Sequence, residues 1–291
     1  MFAKEWPVLL VDDEPDVLAV TRLALKNVNV DGIPVRLFTA ASKAEAIDLL
    51  SGPLEFRNLP YLAVAFIDVV METDTAGLEL CRFIREQQHN RLVQLFIRTG
   101  QPGLAPEREV IDRYDVSGYF TKVETTQDKL YSLVKAGVRQ FDFARVALAE
   151  FELVSRATAG DTLEDIARAM YAALPQPIEV NGEPALEPHL QLAMFDNGGW
   201  FAGMGYTQEE VHRERDRLES LGMQPIGPTR DAMVISGHQM LIKLGATDAH
   251  AETYHLTSYL GTPPPAEVLL HVAFTRSIAT LVHRARQRVP A

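Results

Sequence analysis

Residues 8–14 read Val-Leu-Leu-Val-Asp-Asp-Glu, an apolar run of four that ends directly in three acidic side chains. Four consecutive apolar residues are typical of a strand that is covered on both faces of a sheet. Carboxylates next to such a strand are costly unless a cation or hydrogen-bond donors neutralise them. The segment therefore predicts a buried strand with an acidic site at its carboxyl end.

The same pattern of a short apolar run followed by a helical segment recurs through the first 123 residues. Further strands are predicted at Val35–Phe38, Leu62–Ile67, Leu92–Ile97 and Gly118–Phe120. Helices are predicted at Pro15–Asn27, Ser42–Leu50, Leu78–Gln88 and Ala105–Tyr114, with Ser42 and Glu45 at capping-box spacing. Five repeats in this order indicate an α/β fold with a doubly wound, five-stranded parallel sheet.

Polar side chains stand at the ends of these predicted strands. Asp12 and Asp13 follow the first, Asp68 the third, Thr99 closes the fourth and Lys122 follows the fifth. Because the carboxyl ends of parallel strands meet at one crevice, we expect these side chains to converge. Three carboxylates repel one another without a cation, and hard oxygen ligands suit Mg²⁺. The hydroxyl and the ammonium group suit the oxygens of a phosphoryl group.

Together these residues resemble the receiver domain of two-component response regulators over about residues 6–140. The resemblance implies a flavodoxin-like fold and phosphorylation of Asp68 by a sensor histidine kinase. It implies that Lys122 pairs with the carboxylate or phosphoryl oxygen, that Thr99 is a switch residue, and that Tyr119 is the aromatic that follows Thr99. The implied Mg²⁺ ligands are Asp12, Asp13, Asp68 and the backbone carbonyl of Val70.

The chain changes character beyond the last of these strands. Its apolar residues there recur at steps of four and three: Leu130, Val134, Gly137, Phe141, Ala144, Leu148 and Phe151. This spacing predicts a long helix, either a dimerising helix that joins two domains or a helix packed on its own domain. We expect a receiver domain at 1–126, a connecting helix at 127–158 and a second domain at 159–291.

The second domain is predicted to be α+β with an antiparallel sheet. The expected elements are helices at Asp161–Leu174, Thr207–Leu221 and Pro265–Arg288, and strands at His189–Phe195, Trp200–Tyr206, Ala232–Ser236, Gln239–Leu244 and Tyr254–Leu260. The run from Ile97 to Glu109 resembles a receiver subgroup. In that subgroup the receiver is followed by a GAF-like domain of unknown function and then often by an HD-GYP phosphodiesterase domain. That resemblance implies a GAF-like second domain here, with a small-molecule ligand or a protein partner.

No phosphodiesterase or cyclase motif occurs in the second half, so we expect no enzymatic output beyond phosphoryl transfer and dephosphorylation of the chain itself. Two alternatives stay open. One is an unrecognised activity of the second domain in cyclic-nucleotide signalling. The other is DNA binding by the last helix, whose arginines we interpret as a basic cluster without neighbouring acids: Arg276, Arg284, Arg286 and Arg288. A homodimer through the connecting and last helices is the assembly we expect.

Composition narrows the remaining classes. The chain has 291 residues, with 28 Lys+Arg against 39 Asp+Glu and a net charge of −11, which disfavours nucleic-acid binding. Its single cysteine, Cys81, excludes an internal disulfide and a cysteine-rich zinc module. Because no apolar run is long enough to span a bilayer and no signal peptide is evident, we expect a cytoplasmic protein.

Overall fold

The parallel strands predicted in the first half lie in one sheet. They are β1 (Trp6–Val11), β3 (Ile33–Ala40), β4 (Val64–Ile67), β5 (Gln94–Thr99) and β6 (Gly118–Thr121). The sheet order is β2-β3-β1-β4-β5-β6, so the first strand lies in the middle. All residues of β4 and β5 are buried, as expected for strands with helices on both faces.

The predicted five-strand count is corrected to six. A two-residue strand, β2 (Asn29–Val30), pairs antiparallel with β3 at the edge of the sheet. Asp31 and Gly32 connect the two strands with positive φ angles of 53° and 86°. An Asp-Gly pair in this conformation closes a two-residue hairpin, which is the physical origin of the additional strand.

This computed structural model describes residues 5–51, 62–100, 107–124, 126–158, 162–167, 179–180, 183–184, 191–226, 228–258 and 265–288. The chain divides into two compact units, one of Glu5–Arg145 and one that holds the described residues from Val146 onward. Most of the predicted Asp161–Leu174 helix and the beginning of Ala105–Tyr114 lie outside the described residues. Positions 163–167 of the former are helical.

Helices cover both faces of the parallel sheet. They are α1 (Pro15–Leu25), α2 (Lys43–Ser51), α3 (Ala76–Arg82, continued by a π-helical turn at Phe83–Gln87), α4 (Glu107–Tyr114) and α5 (Gln127–Thr158). Pro15 lies at the first position of α1, where its missing N–H removes no helical bond. Ser42 Oγ accepts from the Glu45 N–H at 3.0 Å, which confirms the predicted cap of α2.

The first part of α5 packs within the first unit. Leu130, Val134 and Phe141 are buried. A Cβ added at Gly137 would lie 2.9 Å from Val64 Cγ2 and 3.0 Å from Phe96 Cε2, so this glycine permits close approach of the helix to the sheet. The packed alternative therefore accounts for this half of the seam. Dimerisation stays a prediction.

The second unit is built on an antiparallel sheet, as predicted. Its strands are β9 (Gln191–Asp196), β10 (Phe201–Met204), β11 (Gln224–Pro225), β12 (Ala232–Ser236), β13 (Gln239–Leu244) and β14 (Thr253–Ser258), in the order β10-β9-β14-β13-β12-β11. The helix Gln208–Ser220 and the closing helix Pro265–Arg288 contribute to separate apolar clusters against this sheet. A separate two-stranded pair joins β7 (Glu179–Val180) to β8 (Glu183–Pro184).

Two of the four arginines of the closing helix, which have no neighbouring acids in sequence, pair with acids outside this helix. Arg276 Nη2 lies 2.7 Å from Asp231 Oδ2, and Arg286 Nη1 lies 2.7 Å from Asp196 Oδ2. These acids come from distant positions in the sequence, so a count of neighbouring charges along the helix does not find them.

No helix in the described ranges is both long enough and apolar enough to cross a bilayer.

Gly77 lies where α3 packs against the residue that follows β4. A Cβ at this position would lie 1.8 Å from the Asp68 backbone oxygen. Alanine usually favours a helix over glycine by about 1 kcal/mol. Here the clash with backbone dominates, and we expect Gly77→Ala to lower the free energy of unfolding by about 3 kcal/mol in a urea titration.

Gly100→Ala is the matched control for this substitution. Its added Cβ would meet only Lys122 Cδ, at 3.6 Å. We expect a change of about 0.5 kcal/mol or less. Equal stability of the two variants would show that α3 is not seated on β4 in this way.

Candidate functional site

The register of the parallel strands brings the predicted site residues to one edge. Val11 pairs with Ile67 in the sheet, so Asp12 and Asp68 follow neighbouring strands at the same level. The Asp68 N–H donates to Val11 O at 2.9 Å, and the Lys122 N–H donates to Thr99 O at 2.8 Å. Backbone hydrogen bonds therefore fix where each functional side chain begins.

Three carboxylates converge at this edge. Asp12, Asp13 and Asp68 each offer an oxygen, and these oxygens lie within 4.8 Å of one another. Asp12 and Asp68 are buried, with 1% and 4% of their surface exposed, whereas Asp13 is exposed. The predicted acidic cluster is thus formed, with two carboxylates in the protein and one towards solvent.

Lys122 is the cation that contacts this cluster from β6. Its Nζ lies 2.8 Å from Asp68 Oδ2, 3.1 Å from Asp12 Oδ1 and 2.6 Å from Glu14 Oε1. One ammonium group therefore serves three carboxylates.

The ionisation of these groups reflects burial and pairing. Burial raises the pKa of Asp68, an effect that the hydrogen bond and charge of Lys122 oppose. Burial alone would lower the pKa of Lys122, but its hydrogen bonds to Asp68 and Glu14 outweigh this effect and raise it. The hydrogen bond to Lys122 lowers the pKa of Glu14. Lys122 is therefore protonated throughout the neutral range.

Two observations show that the cluster fits a divalent cation. Asp68 Oδ1 is buried and has no hydrogen-bond partner among the described residues. The crevice holds four carboxylates (Asp12, Asp13, Glu14 and Asp68) against two cations (Lys122 and Arg98), a formal charge of −2 when all are ionised. Carboxylate oxygens with this charge suit Mg²⁺, which keeps several waters and needs few protein ligands.

Thr99 is the last residue of β5, and Tyr119 lies within the neighbouring strand β6, opposite Ile97. Thr99 is fully buried and Tyr119 is half-buried. Burial raises the pKa of Tyr119, while a side-chain hydrogen bond with Thr99 lowers it. The two predicted switch residues are thus in direct contact. Val70, whose carbonyl was the further predicted ligand, is half-buried two residues after Asp68.

Arg98 was not predicted as part of the site. Its Nη2 lies 3.2 Å from Asp12 Oδ2, and its Nη1 donates to Thr21 Oγ1 at 2.8 Å. A signal was present in the sequence, since Arg98 follows the apolar run Leu95–Ile97. An arginine in a buried strand requires a polar or acidic partner.

Known proteins are similar to this chain over part of its length. No protein-family model matches it. A 3'3'-cGAMP-specific phosphodiesterase 2 of Vibrio cholerae serotype O1 (strain ATCC 39315 / El Tor Inaba N16961) is 41% identical over 136 residues, which are 47% of this chain. The match spans 25% of that relative's length.

Similar solved structures are response regulator receiver domains over the first half of the chain. One from Clostridium thermocellum has 20% identity and a TM-score of 0.39, and the match covers 47% of this chain and 98% of that one. The signal receiver domain of an HD domain-containing protein from Pseudomonas fluorescens Pf-5 has 18% identity and a TM-score of 0.39, with the same coverage of 47% and 98%.

The expectation that the chain has no enzymatic output is wrong in the light of the first relative. A protein that shares 41% identity with nearly half of this chain is a phosphodiesterase. The second half of the sequence carries no cyclase or phosphodiesterase motif that would have indicated this similarity.

The raised pKa of Asp68 predicts how stability depends on pH without divalent cations. A carboxyl group whose pKa is higher in the folded state destabilises the fold once it is ionised, and this cost disappears as the pH falls through the raised pKa. Asp68→Asn should therefore raise Tm at neutral pH, on the order of 3 °C. The advantage should shrink as the medium is acidified, measured by calorimetry.

Asp13→Asn is the control, because that carboxylate is exposed and gives up little solvation on folding. Mg²⁺ should raise Tm of the wild-type chain, by mass action on the folded state, more than that of Asp68→Asn. A lower Tm for Asp68→Asn at neutral pH would contradict the assignment of burial as the dominant effect.

Proposed function

We propose that this chain is a two-component response regulator whose Asp68 accepts a phosphoryl group from a phosphohistidine of a sensor histidine kinase. The observation that carries the proposal is the state of the Asp68 carboxylate. One oxygen is held 2.8 Å from Lys122 Nζ, while the other is buried without a partner beside the acidic cluster. The carboxylate is thus oriented by Lys122 but not fully satisfied by hydrogen bonds, which suits a nucleophile that also binds a cation.

In the proposed reaction, an Asp68 oxygen forms the new bond to phosphorus as the N–P bond to the kinase histidine breaks. The electron pair of that bond returns to the imidazole nitrogen. A Mg²⁺ ion held by Asp12, Asp13, Asp68 and the Val70 carbonyl would neutralise charge on the transferring group. Lys122 holds the attacking carboxylate in place and donates to a phosphoryl oxygen.

Thr99 and Tyr119 support the coupling of this event to the rest of the chain. The phosphoryl group carries roughly 1.5–2 negative charges, of which one replaces the lost charge of the Asp68 carboxylate, and it adds three acceptor oxygens. A Thr99 hydroxyl that turns to donate to one of these oxygens gives up its contact with Tyr119. The ring is then free to change rotamer beside α4 and α5, which makes Thr99 and Tyr119 the proposed switch.

The output we propose rests on three domains: a receiver at 1–126, a connecting helix at 127–158 and a GAF-like domain at 159–291. Homodimerisation through α5 and the closing helix, or binding of a small ligand or protein by the GAF-like domain, would read out the switch. Leu148 and Phe151 support an interface on α5, since both apolar side chains are exposed.

The phosphoacceptor proposal predicts that Asp68→Asn abolishes labelling. With Mg²⁺ and acetyl phosphate, the wild-type chain should gain one phosphoryl group by intact-mass spectrometry. Of the two buried carboxylates in contact with Lys122, Asp12 has hydrogen bonds at both oxygens, whereas Asp68 has one oxygen without a partner among the described residues. Thr99→Val should still be labelled, though more slowly. Labelling of Asp68→Asn to the wild-type extent would refute the assignment.

A second candidate function is control of cyclic-dinucleotide hydrolysis, which the Vibrio cholerae relative favours. In the described part of the second unit, no three His, Cys, Asp or Glu side chains come together as metal ligands would. In this candidate, phosphorylation of Asp68 in the first unit would control the rate of hydrolysis.

The experiment is to incubate the chain with 3'3'-cGAMP and Mg²⁺ or Mn²⁺ and to follow linear products by chromatography, with and without acetyl phosphate. The candidate predicts product from the wild-type chain that changes in rate at least severalfold on phosphorylation. Asp68→Asn should keep the basal rate and lose the response. Absence of product at stoichiometric protein would count against hydrolysis by this chain.

A further inference from the structure

Arg98 is a buried cation at the carboxyl end of β5, and the proposed phosphoryl transfer gives it no task. Its side chain is 6% exposed. Nη2 lies 3.2 Å from Asp12 Oδ2, and Nη1 donates to Thr21 Oγ1 at 2.8 Å. Thr21 Oγ1 in turn donates to Val17 O at 2.7 Å, within α1. The guanidinium is thus fixed between a helix and the acidic cluster.

Asp12 is held at both of its oxygens. Oδ2 accepts from Arg98. Oδ1 accepts from the Glu14 N–H at 3.0 Å and from Lys122 Nζ at 3.1 Å. Of the two cations among these donors, Lys122 also contacts Asp68, whereas Arg98 contacts Asp12 and makes no ion pair with Asp68.

Lys122 is the group for which Asp12 and Asp68 compete. Its distances to the two carboxylates, 3.1 Å and 2.8 Å, are close to one another. Arg98 supplies Asp12 with a second cation, so that Asp12 depends less on Lys122. Without Arg98, the Lys122 ammonium would be the only cation in contact with Asp12 among the described residues.

We infer that Arg98 is a positioning residue that holds Asp12, lowers the affinity of the cluster for the divalent cation and leaves Lys122 to serve Asp68. The inference deepens the proposed phosphoacceptor function and depends on it. A variant that merely disrupts the site would weaken Mg²⁺ binding and slow phosphoryl transfer together, whereas this role of Arg98 predicts opposite changes in the two. Removal of Arg98 should strengthen Mg²⁺ binding, because the crevice gains negative charge, and slow phosphoryl transfer, because Lys122 shifts towards Asp12.

The test measures both quantities on the full chain with Arg98→Met, which keeps length and removes charge. Calorimetric titration should show a Mg²⁺ Kd lower on the order of tenfold, as expected for loss of a cation a few ångströms away in a partly solvated crevice. The initial rate of labelling by acetyl phosphate at saturating Mg²⁺ should fall, also on the order of tenfold. Arg98→Lys restores the charge and should return the Kd to near the wild-type value.

Arg85 provides the matched control, since it is also a buried arginine of the first unit. It donates to backbone carbonyls of Asn90, Val93 and Asp115 and not to the acidic cluster. Arg85→Met should lower stability and leave the Mg²⁺ Kd and the labelling rate of the folded protein unchanged. Should Arg98→Met fail to fold, Arg98→Gln removes the charge and retains a polar side chain with an amide donor.

The outcomes are distinct. An unchanged or weaker Mg²⁺ affinity in a folded neutral variant, or an unchanged labelling rate, would overturn the role of Arg98. Tighter Mg²⁺ with slower labelling would support it. Failure of the wild-type chain to be labelled would instead remove the proposed function, whatever the variants do.

Discussion

The contact of Lys122 with Asp68 and Asp12 is the interaction on which the first unit depends. Two carboxylates are buried side by side at the ends of β1 and β4, where each would repel the other. Burial disfavours ionised groups by several kcal/mol unless they are paired. Lys122 is placed within reach of both by the pairing of β5 with β6, in which Thr99 lies opposite Thr121. Sheet register and site electrostatics are therefore one constraint.

Much of this arrangement could be predicted because its signals are local in sequence. The strand-end positions of Asp12, Asp68, Thr99 and Lys122 follow from apolar runs, and parallel strand order then brings them together. The additional strand β2 also had a local signal, the Asp31-Gly32 pair. Acidic partners of arginines had none, since Asp196 and Asp231 are separated from Arg286 and Arg276 by 90 and 45 residues. Long-range ion pairs depend on the tertiary fold, and the composition of a single helix does not predict which distant residues come close to it.

Gly77 and Gly137 show a second limit of local patterns. In a helix both residues count as weak positions, because glycine gains backbone freedom on unfolding. In the fold, each lies where another backbone or side chain leaves no room for a Cβ, at Asp68 for Gly77 and at Val64 for Gly137. The same residue thus weakens the isolated helix and permits its packing. Which of the two effects dominates depends on the residue packed against the glycine, and that residue is distant in sequence.

The balance of charge connects the crevice to the switch. A divalent cation would neutralise the formal charge of −2 in the crevice, and a phosphoryl group that replaces the single charge of the Asp68 carboxylate would restore an excess of roughly half to one negative charge. In the proposed reaction Lys122 donates to one phosphoryl oxygen, so the other new oxygens require further donors. Thr99 is the hydroxyl at the adjoining strand end, and its present hydrogen bond is with Tyr119. In the proposed switch, a Thr99 hydroxyl that turns to a phosphoryl oxygen would weaken this hydrogen bond and so carry the electrostatic change from the buried edge of the sheet to the half-buried Tyr119 ring.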